Sequence, residues 1–175
     1  GREAAWTGSQ LILADGWNAR LLVYNSFPTS NGQSADLVIG QPDFVSNTAG
    51  TSASQIATGY GGIHYNANKL WLADVYNNRV IGFDTPITAN APSASIVIGH
   101  SNFTSSSQGS TANDFNAPPR AITYGGKMII ADRWNSRVLI YNSIPTASDP
   151  AADVVIGQTN LTNSSANQGL GSPTA

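Results

Sequence analysis

The sequence predicts an all-β chain built from one four-stranded antiparallel unit used three times. Three observations carry that prediction. A fourteen-residue stretch recurs: LILADGWNARLLVY at 11–24, LWLADVYNNRVIGF at 70–83 and MIIADRWNSRVLIY at 128–141. The copies are nearly evenly spaced, with 59 residues from Asp15 to Asp74 and 58 from Asp74 to Asp132. No segment sustains a helical period, whereas runs of Val, Ile, Leu and Tyr bounded by Gly, Pro, Asn and Ser clusters recur throughout.

Taken in order, each unit gives four strands. The first is the weakest and covers residues 3–8, 61–66 and 120–125. The second, at 10–15, 69–74 and 127–132, ends in Ala-Asp; the third, at 20–25, 79–84 and 137–142, opens with Arg. A tight turn joins them and carries three constant side chains. These are the aspartates Asp15, Asp74 and Asp132, the asparagines Asn18, Asn77 and Asn135, and the arginines Arg20, Arg79 and Arg137. Asp and Asn supply the side-chain-to-backbone bonds that such turns need. The triplets are read as structural, because a reaction or ligand rarely needs the same residue in every unit while folding does. The alternative is carboxylates for a metal or arginines for an anion.

The fourth strand, at 36–41, 95–100 and 153–158, contains DLVIG, SIVIG or DVVIG, and its Gly stands 25 residues after the motif Asp each time (Gly40, Gly99, Gly157). Its run of Val and Ile predicts burial on both faces. An aromatic residue or Leu follows four positions later, at Phe44, Phe103 and Leu161. The units therefore span about 1–44, 60–103 and 118–161 of a single repeat domain, with connectors at 45–59 and 104–117 and a tail at 162–175. The connectors are too long for hairpins and too polar for a core, which marks them as functional or mobile. A four-stranded antiparallel unit repeated around an axis is the blade of a β-propeller.

Composition narrows the function classes. Only 10% of residues are charged, and the net charge is −2. A typical soluble protein carries about a quarter charged residues. No basic field exists to attract nucleic acid or an anionic membrane. There is no cysteine, hence no disulfide, zinc-thiolate site or thiol nucleophile. No apolar run approaches the ~20 residues that span a bilayer. The scarcity of charge, with only Lys69 and Lys127 as lysines, and the abundance of Ser, Thr and Asn fit an exported protein: extracellular, periplasmic or on the cell surface. The sequence opens at Gly1 without a signal-like segment and reads as a processed or trimmed product.

The AD-x-x-N-x-RV core, preceded in the third unit by PRAITY at 119–124, resembles the NHL repeat. The VIGQPDF run at 38–44 resembles the inter-blade segment of exported bacterial NHL-repeat proteins. The resemblance covers essentially the whole chain and is most complete in the third unit. The first two have Arg2-Glu3 and Gly61-Gly62 where the third has Pro-Arg. It implies a propeller, usually of six blades, of which this chain would be half. From Gly157 through the two ends to Asp15 the pattern resumes at 33 residues, the spacing of Gly99 to Asp132. Three blades alone would leave an apolar face at each end. The expectation is a homodimer closing head to tail into a six-bladed ring; an open head-to-tail assembly and a piece of a longer propeller are the alternatives.

Trp17, Tyr76 and Trp134 sit beside the turn asparagine, where the NHL repeat often carries Gly or another small residue. A large ring in a tight turn is expected to stand exposed and to bind a glycan or protein by stacking and area burial. The alternative is that each ring covers the neighbouring unit. Lyases and lactonases resembling this fold need several His or acidic residues converging on the central channel. Here there are His64 and His100, and Glu3 is the only glutamate. There is no G-x-S-x-G, phosphate loop or H-E-x-x-H. No catalytic residue, metal site or cofactor is assigned. Asn102, Asn160 and Asn163 head glycan acceptor sequons. The reading is a non-enzymatic extracellular binding or scaffold propeller. The alternatives are a structural subunit of an extracellular fibre or surface assembly, and a hydrolase or lyase at the central channel.

Overall fold

The computed structural model describes residues 3–171. The described residues form twelve strands in three four-stranded antiparallel sheets. Sheet 1 contains β1 (Ala4–Trp6), β2 (Leu11–Asp15), β3 (Arg20–Tyr24) and β4 (Leu37–Ile39). Sheet 2 contains β5 (Ile63–Asn66), β6 (Lys69–Asp74), β7 (Arg79–Asp84) and β8 (Ile96–Ile98). Sheet 3 contains β9 (Arg120–Tyr124), β10 (Lys127–Asp132), β11 (Arg137–Tyr141) and β12 (Val154–Ile156). Each sheet is a meander in sequence order. The register repeats as well: Asp15 pairs with Arg20, Asp74 with Arg79 and Asp132 with Arg137.

The innermost strands converge. β1 lies against β5, and β5 against β9. Glu3 of the first unit forms an ion pair with Arg120 of the third and accepts the Ile63 N–H of the second at 3.0 Å. One carboxylate thus joins all three sheets at their inner edges.

Two apolar cores fill the spaces between neighbouring sheets. The first gathers Ile12, Leu21 and Val23 of sheet 1 with Leu70, Leu72, Ile81 and Phe83 of sheet 2. The second packs Trp71 and Val80 from the other side of sheet 2 against Met128, Ile130, Leu139 and Tyr141 of sheet 3. β6 and β7 are therefore covered on both faces, while β3, β10 and β11 alternate between covered and partly open positions and β2 buries only Ile12. The period-2 geometry of a strand makes this a direct readout of how many neighbours a sheet has.

Contrary to the expectation from its Val-Ile run, the fourth strand is not buried on both faces in every unit. β8 is, but β12 is largely open, with Ile156 57% exposed where its counterpart Ile98 is 0% exposed. The same Val-Ile run is covered only where another sheet follows it.

The connectors fill the remaining space. Ile56 of the first connector sits over Gly40, and Phe115 of the second over Gly99; both apolar side chains are fully buried. These glycines have φ values of +90° and +103°, and a Cβ there would come within 2.6 Å of Ile56 or Phe115. The constant Gly of the fourth strand is thus a seat for the next connector's anchor.

Candidate functional site

The turn between the second and third strands is a single 3-10 turn in each unit, Gly16–Asn18, Val75–Asn77 and Arg133–Asn135. It closes through its own backbone. The residue after the Asn adopts the left-handed conformation and its N–H returns to the first carbonyl of the turn, at 3.0 Å for Ala19, 3.1 Å for Asn78 and 3.2 Å for Ser136. The expectation that Asp and Asn serve the turn's own backbone is overturned. Their side chains are committed elsewhere.

In sheets 2 and 3 the Asp-Asn-Arg triad clasps the connector that arrives from the preceding sheet. Asp74 Oδ2 accepts from Arg79 Nε and from Asn77 Nδ2, both at 2.8 Å, while its Oδ1 accepts the Ala57 N–H at 2.6 Å. Asn77 Nδ2 also donates to the Gly50 carbonyl. Arg79 donates to the carbonyls of Thr51, Ser52 and Gln55 on the incoming connector and to that of Phe103 on the outgoing one. The third unit repeats this residue for residue. Asp132 accepts the Asn116 N–H, Asn135 donates to Gly109, and Arg137 donates to Ser110, Thr111, Asp114 and Leu161.

Both internal pairs are fully enclosed. Burial pushes the Asp74 and Asp132 carboxyls above the ordinary carboxylate range, against the pull of their Arg, Asn and N–H partners. A guanidinium that spends its donors on backbone carbonyls holds irregular chain where no β-ladder can.

The Asn side chain turns inward to its Asp, so the residue before it turns outward. Trp17 is 77% exposed, Trp134 60% and Tyr76 52%. Tyr76 and Trp134 belong to one continuous strip. The Tyr76 ring meets Tyr60 edge-on at 5.6 Å, and the Arg133 guanidinium lies 5.7 Å from the Tyr60 ring and 4.9 Å from the Trp134 ring. Arg133 Nη1 donates to the Tyr60 hydroxyl at 3.3 Å. Trp17 makes no ring contact with the described residues and stands apart from the strip.

Tyr60 and Arg133 were not singled out by sequence reasoning. A signal for Arg133 did exist, since it occupies the turn position where the other copies have Gly16 and Val75. Of the arginines described, Arg133 is the one without a carboxylate partner. Its guanidinium is exposed between two rings, which is suited to an anionic group flanked by an apolar face.

The inner strands hold little chemistry. His64 Nε2 shares a 2.8 Å hydrogen bond with Thr123 Oγ1, and burial and then the Arg120 charge hold its imidazolium pKa below the usual value. His100 is buried, with Nε2 3.0 Å from the Asn77 carbonyl oxygen. Among the described residues no three His, Asp or Glu side chains gather as a metal site. Asn102 and Asn160 each use Oδ1 to receive N–H groups of the next turn, and Asp43 does the same in the first unit. Asn163 is exposed, with Nδ2 on Thr159 Oγ1. Among the described residues no helix is long and apolar enough to cross a membrane.

Neither a protein-family model nor a curated protein matches this chain.

Proposed function

We propose that this chain is a non-enzymatic binding protein of the propeller kind, with NHL-like repeats, working outside the cytoplasm. The face formed by the turns and connectors would bind a glycan or protein segment that presents carboxylates. The observation that carries the reading is the strip Tyr76–Tyr60–Arg133–Trp134, in which a cation without a carboxylate partner stands between exposed rings. The rings supply stacking area and the guanidinium supplies a fork for a carboxylate. Trp17, on the equivalent turn of sheet 1, extends the face for a longer ligand.

Calorimetric titration with oligogalacturonate, a neutral cello-oligosaccharide and an acidic peptide tests this. Binding of an acidic probe is expected. Arg133→Ala and Trp134→Ala should each weaken it about tenfold, a loss of about 1.4 kcal/mol, and Trp17→Ala less. Failure of both acidic probes to bind would overturn the reading. So would full affinity in a variant lacking Tyr76, Arg133 and Trp134.

A further inference from the structure

We propose that the outer surface of sheet 1 is a receptor for sheet 3 of a second copy of this chain, so that copies join head to tail by reproducing their own internal junction. This is independent of the ligand proposed above.

The internal junction is built twice from the same parts. The first is the clasp, in which the triad of one sheet holds the connector from the sheet before it. The second is an edge contact. Val38 on β4 exchanges hydrogen bonds with the next unit's loop, its N–H to Asn90 Oδ1 and its carbonyl from the Ala91 N–H. Val97 on β8 does the same with Ser148 Oγ and the Asp149 N–H. The third is the apolar face of Leu70, Leu72, Ile81 and Phe83, which packs on the preceding sheet and recurs as Met128, Ile130, Leu139 and Tyr141.

Sheet 1 offers the receiving half of all three. Arg20 binds Asp15 and the Phe44 carbonyl, but among the described residues it has none of the incoming-connector carbonyls that Arg79 and Arg137 hold. Asn18 spends its amide on both oxygens of Asp15, covering the Oδ1 that elsewhere receives a connector N–H. Asn31 and Gly32 stand where the other loops have Asn90-Ala91 and Ser148-Asp149. Gly32 shares the left-handed backbone of Ala91 and Asp149, with φ of +71° against +47° and +58°. Leu11, Leu13, Leu22 and Tyr24, the counterparts of the packed apolar face, are only partly covered, and a groove of about 490 Å³ opens beside Arg20, Leu22, Tyr24 and Phe44.

Sheet 3 offers the matching half. Val155 lies on an edge to which no described loop bonds, Ile156 projects into solvent, and Ile122, Ile129 and Val138 line an apolar groove. No connector side chain covers Gly157 in the way Ile56 covers Gly40 and Phe115 covers Gly99. The unmatched donors, acceptors and apolar positions on the two surfaces are those of one junction split in half. A further sheet of this same repeat has the required pattern, and a second copy of the chain supplies it. Because the two surfaces differ, the contact is heterologous, closing a ring or extending a filament.

Sedimentation of the full chain over a range of concentrations tests this. Assemblies at whole multiples of 18.3 kDa are expected. Arg20→Ala and Ile156→Glu each alter one surface, the first at a partly covered position and the second at an open one. Each should sediment at 18.3 kDa with an unchanged β-sheet circular dichroism spectrum. Mixed in equal amounts, they retain one intact receptor and one intact partner surface and should form a one-to-one complex. If Arg20→Ala loses the β-sheet spectrum, Leu22→Glu on the same surface replaces it. A wild-type chain that stays at 18.3 kDa throughout overturns the proposal. So do surface variants that assemble like wild type, or a mixture that yields no complex.

Discussion

At the scale of the residue, the Asp-Asn-Arg triad is decided by what surrounds it. The three copies have the same side chains in the same strand register, yet two are sealed from water and the first is only partly covered, with the Arg20 and Asp15 side chains 18% and 29% exposed. Removing one member of a sealed pair leaves an uncompensated buried charge and unpaired carbonyls. Arg137→Ala should therefore cost about 3–5 kcal/mol. Arg20→Ala, at a pair that is only partly covered in a single copy and lacks the connector carbonyls, should cost less, about 1–2 kcal/mol. Urea unfolding of the two variants, with Arg20→Ala measured on the unassembled chain, checks the contrast. Equal losses would mean that the connector carbonyls contribute nothing.

At the scale of the element, strand positions were legible because each second and third strand is a run of apolar residues cut off by the motif Asp and Arg. β6, β7 and β10 fall on the predicted limits, and β2, β3 and β11 differ by one residue at one end. The outer strands are shorter than predicted, because pairing stops at the constant Gly, where φ turns positive. Contacts between elements were not legible. His64 on β5 reaches Thr123 on β9 from a neighbouring sheet, and Asn66 reaches the same hydroxyl at 2.5 Å.

This contact has a pH signature. The His64 pKa is lower in the folded chain than in the unfolded one, so between the two values the unfolded state binds more protons. The stabilising effect of neutral His64 is present above the unfolded pKa, about 6.5, and declines as pH falls through the folded value. His64→Gln should flatten that limb of the melting temperature measured from pH 7 to pH 5. An unchanged slope would place the pH dependence elsewhere.

At the scale of the whole molecule, stability is graded by position in the row. Sheet 2 is covered on both sides, whereas sheets 1 and 3 each have one uncovered face, and β12 is the most open of the outer strands. Amides with few buried apolar neighbours open most readily. In the monomeric Ile156→Glu variant, hydrogen exchange should be slowest in β6 and β7 and fastest at β12. Assembly of the wild-type chain should slow exchange at Val155 above all, because its N–H occupies the position that Val97 uses to bond the next unit. Uniform protection across the three sheets would contradict this ordering.

The sequence by itself determined the repeat: three all-β units, the strands within them, the turn carrying Asp, Asn and Arg, and outward rings at Trp17, Tyr76 and Trp134. Local hydrogen bonding and two-residue periodicity fix those features within a few positions, so a single unit contains the information. Only the tertiary structure decided that the triad holds a connector and not its own turn. It also decided that Tyr60 and Arg133 join Tyr76 and Trp134 while Trp17 stands apart, and that identical motifs are sealed in two units and only partly covered in the first. Each of these depends on groups from neighbouring units packed across a sheet interface, and a repeat reads the same whether or not it has a neighbour.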